Sequence, residues 1–334
     1  MRRLVSVGLI CAIIFLPGTL FSFVKNGVSS LFGGINKTNY TVLICGYDEA
    51  AYNTDSIVLV NYDSEINAVS FVQIPRDTYF DFSDGQNKIN QYVPDRMANG
   101  ASLSDAMSDF KSEISTLLGI KIDAYAGYTM RALANIVDLF GGIDVDLPVP
   151  VSGVDLDGNK IELKSGHNHL SGAESVVFLR YRSGYLLGDL ARIDAQKIFI
   201  SAFARKLKTD TNVRKIAKIL FGSNEGVVTD VNTIGIISFS LKNFKKIKSS
   251  GVSFSDMPGE HLLSSDNVSY FCINKHASSE LIVHLPFRKI SDFDPNGGFI
   301  NKREEAFLDS YNKTGLDYKI YKEDDLKKLK FITE

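Results

Sequence analysis

Four segments of the chain place polar residues at the ends of apolar, strand-like runs, where open α/β sheets put their ligands. The first is Gly46-Tyr47-Asp48, followed by Asn53-Thr54-Asp55-Ser56. Asp48 would close one strand and Asp55 open the next. Two carboxylates so placed can converge on a hard cation, and Mg²⁺ suits one or two carboxylates completed by water and phosphate oxygens. Turn chemistry alone would also put Asp and Asn here. The second is Ile74-Pro75-Arg76-Asp77-Thr78, where an arginine stands at a strand end behind a proline. Its guanidinium matches phosphate oxygens in pairs, although an Arg76–Asp77 surface pair would use the same residues. The third, Lys88-Ile89-Asn90, reads by itself as a solvated loop.

The fourth runs Phe178-Leu179-Arg180-Tyr181-Arg182 and then Gly188-Asp189-Leu190-Ala191-Arg192-Ile193-Asp194-Ala195-Gln196. Val176 to Tyr181 reads as a strand, which would project Arg180 and Arg182 from one face. Arg192 and Gln196 lie four apart on the helix that follows, again on one face. Asp189 stands where it could cap that helix. Three arginines and a glutamine gathered this way would repel without an anion, and a pyrophosphate fits. The competing reading is a surface neutralised by Asp189 and Asp194. His167 and His169 flank Asn168, but no further ligand is spaced to complete a metal site, so they read as a solvated loop. Lys242 to Lys248 reads as a solvated helix end.

These residues need a scaffold. Thr41 to Tyr47, Ser56 to Tyr62 and Ala68 to Ile74 read as strands buried on both faces. Leu103, Ala106, Met107, Phe110, Ile114, Leu117 and Leu118 follow helical spacing, with Ser102 or Ser104 as cap and Gly119 as stop. Met130 to Phe140 reads as a helix stopped by Gly141-Gly142. Ile143 to Val151 is extended and peripheral. The stripe from Leu190 to Leu207 marks a further helix, and Val231 to Phe244 another. Val252 to Pro258 and Ser269 to Ile273 read as short strands. Alternating strands and helices specify helices on both faces of a mixed central sheet.

The 334 residues carry a formal charge of −2, with 44% hydrophobic and 23% charged residues. That supports a sizeable core and excludes a strongly basic nucleic-acid binder. Cys11, Cys45 and Cys272 form no disulfide framework or metal spacing. Arg2-Arg3 precedes an uncharged run from Leu4 to Val24 that Lys25 closes. About 20 apolar residues span a bilayer as a helix, and the arginine pair favours an inside N-terminus. A cleaved signal peptide is the rival, but no small-x-small cleavage site is clear. The expected organisation is a cytoplasmic tip and transmembrane anchor at 1–25, a linker at 26–38, a catalytic domain at 39–290 and a polar C-terminal tail at 291–334.

One N-terminal membrane helix, a GxD strand end, Asn53-Thr54-Asp55, Ile-Pro-Arg-Asp-Thr, Lys-Ile-Asn, Gly-Gly-Ile-Asp-Val and Arg-Tyr-Arg followed by Asp-Leu-Ala-Arg-Ile-Asp-Ala-Gln occur in this order. The set resembles the LytR–CpsA–Psr family over roughly residues 38 to 290. The resemblance implies an α/β/α sandwich with a mixed central β-sheet and a hydrophobic cleft for a polyprenyl chain. It implies that Asp48 and Asp55 bind Mg²⁺, and that Arg76, Arg180, Arg182, Arg192 and Gln196 hold a pyrophosphate that Lys88 also approaches. Asp189 would position arginines or help activate an acceptor hydroxyl. The implied reaction moves a glycosyl phosphate from a polyprenyl-pyrophosphate-linked glycopolymer to peptidoglycan, at the outer face of the cell membrane. Hydrolysis of the same carrier would use the same residues, and a non-enzymatic membrane-bound regulator or polymer-binding module would show no metal-dependent turnover. Asn53 and Ala195 stand where the family usually has arginine, which makes the expected site less positive.

Overall fold

The computed structural model describes residues 38–82, 87–185, 189–209, 226–230, 251–290, 305–329 and 331. The anchor expected at 1–25, the expected linker up to Lys37, the helix expected at Val231 to Phe244 and the basic run Lys242 to Lys248 therefore lie outside the described residues. Among the described residues no helix is long and apolar enough to cross a membrane.

In chain order the elements are β1 (Asn39–Tyr47), β2 (Thr54–Asp63), β3 (Ala68–Ile74), α1 (Tyr92–Ala98), α2 (Leu103–Leu118), β4 (Ala124–Thr129) and α3 (Met130–Leu139). Four short strands follow: β5 (Ile143–Leu147), β6 (Val151–Val154), β7 (Lys160–Leu163) and β8 (Gly166–Leu170). Then come α4 (Gly172–Arg180), α5 (Asp189–Thr209), β9 (Val227–Thr229), β10 (Val252–Asp256), β11 (Gly259–Leu263), β12 (Ser269–Ile273), α6 (Lys275–His284), α7 (Glu305–Asn312) and α8 (Glu323–Leu326). The central sheet has the order β10-β3-β2-β1-β4-β9. It is mixed: β1/β4 and β3/β10 are parallel, while β1/β2, β2/β3 and β4/β9 are antiparallel.

Both faces of this sheet are covered, which is why its strands read as continuous apolar runs rather than alternating ones. Val42, Val58, Val60 and Phe71 point to the side filled by Leu133 and Val137 of α3, Val177 and Phe178 of α4, and Phe199 and Phe203 of α5. Leu43, Cys45, Ile57, Leu59 and Val72 point to the other, against Met107, Phe110 and Ile114 of α2 and Leu281 of α6. The arrangement is the expected α/β/α layering. Helix α2 begins and ends where its sequence says. The Ser102 hydroxyl accepts the Asp105 N–H at 3.2 Å, and Gly119 takes a left-handed φ of 60° that favours a residue without Cβ.

Two expectations are corrected here. Val176 to Tyr181 is the end of a helix. The Ser171 hydroxyl and the Glu174 carboxylate cap α4 reciprocally, and Ser175 to Leu179 are all buried. A short apolar run that is buried all round carries no period, so it reads equally as strand or helix. The Ser-x-x-Glu box in front of it was the deciding signal. The segment beyond 290 is also more than a polar tail. Phe307 of α7 packs edge-on against Tyr79 and Tyr270. Tyr321 exchanges backbone hydrogen bonds of 2.9 and 2.7 Å with Phe254 at the sheet edge, and Leu326 and Phe331 are buried. A few widely spaced apolar anchors dock a segment whose average composition is charged.

His167 and His169 lie on strand β8, not in a loop. Paired with β5, they face Asp146 and Asp144 at 3.3 and 2.7 Å and remain exposed. Among the described residues no group of three or more metal-ligating side chains is assembled.

Candidate functional site

Strand direction alone gathers three of the expected residues. β1 leaves the sheet at Tyr47, which is in register with Thr54, where antiparallel β2 enters. β3 runs back and leaves at Ile74, opposite Ile57. Asp48, Asp55 and Arg76 therefore follow one another along a single edge. Parallel β4 leaves at the same edge, Thr129 standing beside Tyr47. There the Thr129 hydroxyl caps α3 by accepting the Ala132 N–H at 3.1 Å.

A pocket of about 410 Å³ opens on this edge. Its wall carries five guanidinium groups, from Arg76, Arg131, Arg180, Arg182 and Arg192, and three carboxylates, from Asp48, Glu49 and Asp55. Tyr47 and Leu179 supply apolar lining. Burial pushes the Tyr47 phenol up to about 12, with Tyr52 and Glu49 adding to the effect, so it stays protonated. The arginines reach the pocket by routes other than a shared strand face. Arg180 is the exposed last residue of α4, and Arg182 begins the turn after it, its carbonyl accepting the Tyr185 N–H at 3.1 Å. Arg192, only 6% exposed, comes from the first turns of α5.

Each carboxylate expected to hold metal has structural partners too. One Asp48 oxygen accepts the N–H groups of Ala50 and Ala51 at 2.6 and 3.2 Å, so the turn reading and the pocket reading of Asp48 are both realised. Asp55 accepts from Arg76 Nη1 at 2.8 Å. Two hard carboxylates in one pocket, beside cations that attract phosphate, are a donor set suited to Mg²⁺.

Two of the expected residues are used elsewhere, and a third is not described. Lys88 is not part of the pocket wall: its ammonium donates to Asp77 at 2.9 Å and lies over the Tyr270 ring. The Ile89 N–H donates to the Thr78 carbonyl at 2.8 Å, so the Lys-Ile-Asn loop braces the Ile-Pro-Arg-Asp-Thr segment from outside. Gln196 does share a helix face with Arg192, but it is buried and accepts from Gln73 Nε2 at 2.5 Å. It ties α5 to β3 instead of facing the pocket. Asp189 begins α5, and its side chain lies outside the described residues.

Sequence reading missed one residue of the pocket wall and one anchor of its scaffold. Arg131 sits two residues past the end of β4, at the same sheet edge as Asp48, and the strand-end rule that found Asp48 applies to it too. Lys197 is 2% exposed and donates to Asp194 at 2.7 Å and Asp256 at 2.5 Å. Burial opposes its charge, but Asp256 and Asp194 outweigh that and hold the ammonium above its ordinary value. Only the i, i+3 spacing of Asp194 and Lys197 hinted at this anchor of α5 to β10. Ala195, which stands where the resemblance leads one to expect arginine, is fully buried on the core face of α5.

The chain matches the LytR_cpsA_psr family model over residues 24–285. It belongs to that family. Among curated relatives, the polyisoprenyl-teichoic acid–peptidoglycan teichoic acid transferase TagV of Bacillus subtilis is 28% identical over 254 residues, covering 71% of this chain and 61% of TagV. The transferase of the same description named TagU, from Bacillus cereus, is 24% identical and covers 72% of this chain and 76% of its own length. Against TagV, then, this family member aligns with less than two thirds of the relative's length. The crystal structure of B. subtilis TagV superposes with a TM-score of 0.62 at 23% identity, covering 75% of this chain and 97% of that one. The shared fold is the mixed sheet between helical layers described above.

Proposed function

We propose that this protein transfers a glycopolymer, as a glycosyl phosphate, from a polyprenyl-pyrophosphate carrier to a sugar hydroxyl of peptidoglycan. The observation that carries the reading is the convergence of Arg76, Arg180, Arg182 and Arg192 with Asp48 and Asp55 in one pocket. Such an excess of fixed positive charge stabilises a diphosphate and the charge that develops as it is cleaved. The relatives' names, teichoic acid transferases acting between a polyisoprenyl carrier and peptidoglycan, agree with that chemistry.

In this reading the acceptor oxygen attacks the phosphorus that bears the glycan. The bond from that phosphorus to the bridging oxygen breaks, and polyprenyl phosphate leaves. The guanidinium groups of Arg180, Arg182 and Arg192 hold the non-bridging oxygens with paired donors. Arg76, steadied by Asp55 and by the Asp77–Lys88 pair, faces the leaving side. Asp189, at the start of α5, either orients those arginines or accepts the hydroxyl proton. Mg²⁺ held by Asp48 and Asp55 would neutralise diphosphate charge as a Lewis acid. The apolar run Leu4 to Val24 would anchor the domain at the outer face of the membrane, where the carrier's polyprenyl chain is embedded.

Incubation of the purified full chain with a lipid-linked glycopolymer, Mg²⁺ and soluble peptidoglycan is the test. A covalent glycopolymer–peptidoglycan product is expected. Release of free phosphorylated glycopolymer at the same rate with and without peptidoglycan would make the protein a hydrolase instead, and no turnover under either condition would leave it a binding module.

A further inference from the structure

The pocket has two flanks of different character. Across the sheet edge the strands stand in the order β3, β2, β1, β4. The segments at these four strand ends present Arg76, Asp55, Asp48 and Arg131 in turn. Neighbouring strands lie about 4.8 Å apart, so Arg76 and Arg131 are rooted roughly 14 Å from each other, a span well beyond one diphosphate. Their heads are committed differently as well. Arg76 turns to Asp55, inside the pocket. Arg131 Nη2 donates to Asp157 Oδ1 at 3.0 Å, at the tip of the β6–β7 hairpin, whose Leu156 also lines the pocket.

Charge divides the flanks in the same way. Around Arg131 stand Asp157, Glu49 and Asp155, all of which act on its guanidinium, three carboxylates to one cation. The opposite flank holds Arg76, and Arg192 lies towards it because Gln196, one turn further along α5, bonds Gln73 of β3. A polyanion is drawn to the arginine flank and repelled from the hairpin flank. What suits the hairpin flank is an uncharged group rich in hydroxyls, because carboxylates accept from hydroxyls, a guanidinium donates to them, and Met130 and Leu156 offer apolar surface.

The hairpin is also fixed in place. Asp155 Oδ1 accepts the N–H groups of Asp157 and Asn159 at 2.9 and 2.8 Å, shaping the tip. At its base a Cβ on Gly153 would come within 2.9 Å of Val177 Cγ1, so the absence of a side chain lets the hairpin sit directly on α4, the helix that ends in Arg180. The Arg131–Asp157 pair itself is open to water, at 49% and 66% exposure, so its donors and acceptors are accessible to a ligand.

We propose that Glu49, Met130, Arg131, Leu156 and Asp157 form a subsite for a neutral sugar unit, the acceptor glycan, on the flank of the pocket opposite the diphosphate. The assignment rests on the transferase reading for the identity of the sugar, and on the pocket's own geometry for its existence.

The test measures binding directly, with chitotetraose, an uncharged N-acetylglucosamine tetramer, as glycan probe and inorganic pyrophosphate as anion probe, on the full chain. Arg131→Ala and Asp157→Asn should each weaken chitotetraose binding roughly ten-fold, the loss of one or two hydrogen bonds to hydroxyls. That loss should exceed any change in pyrophosphate affinity several-fold. Arg131→Lys should fall between wild type and Arg131→Ala. The proposal is overturned if wild type does not bind chitotetraose, if the variants bind it as wild type does, or if pyrophosphate affinity falls in step with glycan affinity. Wild-type turnover, assayed alongside, separates the two readings. Glycan binding that depends on Arg131 without any transfer keeps the subsite and removes the transferase. Transfer with glycan binding indifferent to Arg131 and Asp157 does the opposite.

Discussion

Substituting Arg180 by alanine separates a phosphate-gripping residue from a surface ion pair. Arg180 is the last residue of α4 and is exposed, and its guanidinium lines the pocket with Arg76, Arg182 and Arg192. Its stabilising contribution to the empty protein is small. A cation at a helix C-terminus is worth about 0.3–1 kcal/mol through the helix dipole. Alanine recovers a few tenths of that through helix propensity, and removing one of several clustered cations relieves repulsion. The net change should be within about 0.5 kcal/mol, the usual range for surface substitutions, and the melting temperature should move by about 2 °C or less. The ligand-bound state is different. A charge-assisted hydrogen bond contributes about 1.5–3 kcal/mol, so affinity for a polyprenyl pyrophosphate should fall roughly ten- to a hundred-fold. Isothermal titration with a short-chain polyprenyl pyrophosphate gives the affinity, and differential scanning calorimetry of the apo protein gives the stability. Arg180→Lys keeps the charge and the dipole interaction but loses the paired donors, and should recover only part of the affinity. A clear drop in melting temperature with unchanged lipid affinity would refute the reasoning and return Arg180 to the surface.

Asp55→Ala should abolish Mg²⁺-dependent turnover while the protein stays folded, since Asp55 is a third exposed and its loss leaves Arg76 inside a pocket open to water. A magnesium titration checks this, and an unaltered metal dependence would move the metal elsewhere. Gln196→Ala strands the buried Gln73 amide and should cost about 1–3 kcal/mol by chemical denaturation. Its effect on lipid affinity should be smaller than that of Arg192→Ala, which removes a group from the pocket wall itself. His169 hydrogen-bonds Asp144 through Nδ1 and the Gly141 carbonyl through Nε2, which raises its pKa above the ordinary value. A raised pKa stabilises the fold fully below the unfolded midpoint near 6.5 and loses that stabilisation as pH rises through the folded midpoint. An NMR titration should therefore place the His169 midpoint above that of an unfolded peptide, and His169→Gln should flatten the decline in stability across that window.

Local sequence was sufficient for the elements whose signals are chemical. The Ser102 cap and the Gly119 stop bound α2, and the Gly141-Gly142 pair closes α3, because capping and left-handed turns are decided within a few residues. The apolar runs of β1, β2 and β3 announced a sheet covered on both faces, and Asp48, Asp55 and Arg76 were legible as strand-end residues. The order of motifs was enough to point to the family. Val176 to Leu179 is apolar at every position, so no period distinguishes helix from strand; the Ser171-x-x-Glu174 box marks where the helix starts, and packing against α3 and α5 buries the run all round. Tertiary structure decided the rest. Whether a polar residue on the right face reaches the pocket depends on partners far away in the chain. Gln196 meets Gln73, Lys88 meets Asp77 and Lys197 meets Asp256, and each is withdrawn from the site by a contact that spacing along the chain does not encode. Arg131 enters for the reciprocal reason: strand β4 lies parallel to β1, so its end arrives beside Asp48 although 83 positions separate the two residues. Residue types and spacing determined the chemistry available to this protein, and the register and direction of its strands determined which side chains share one pocket.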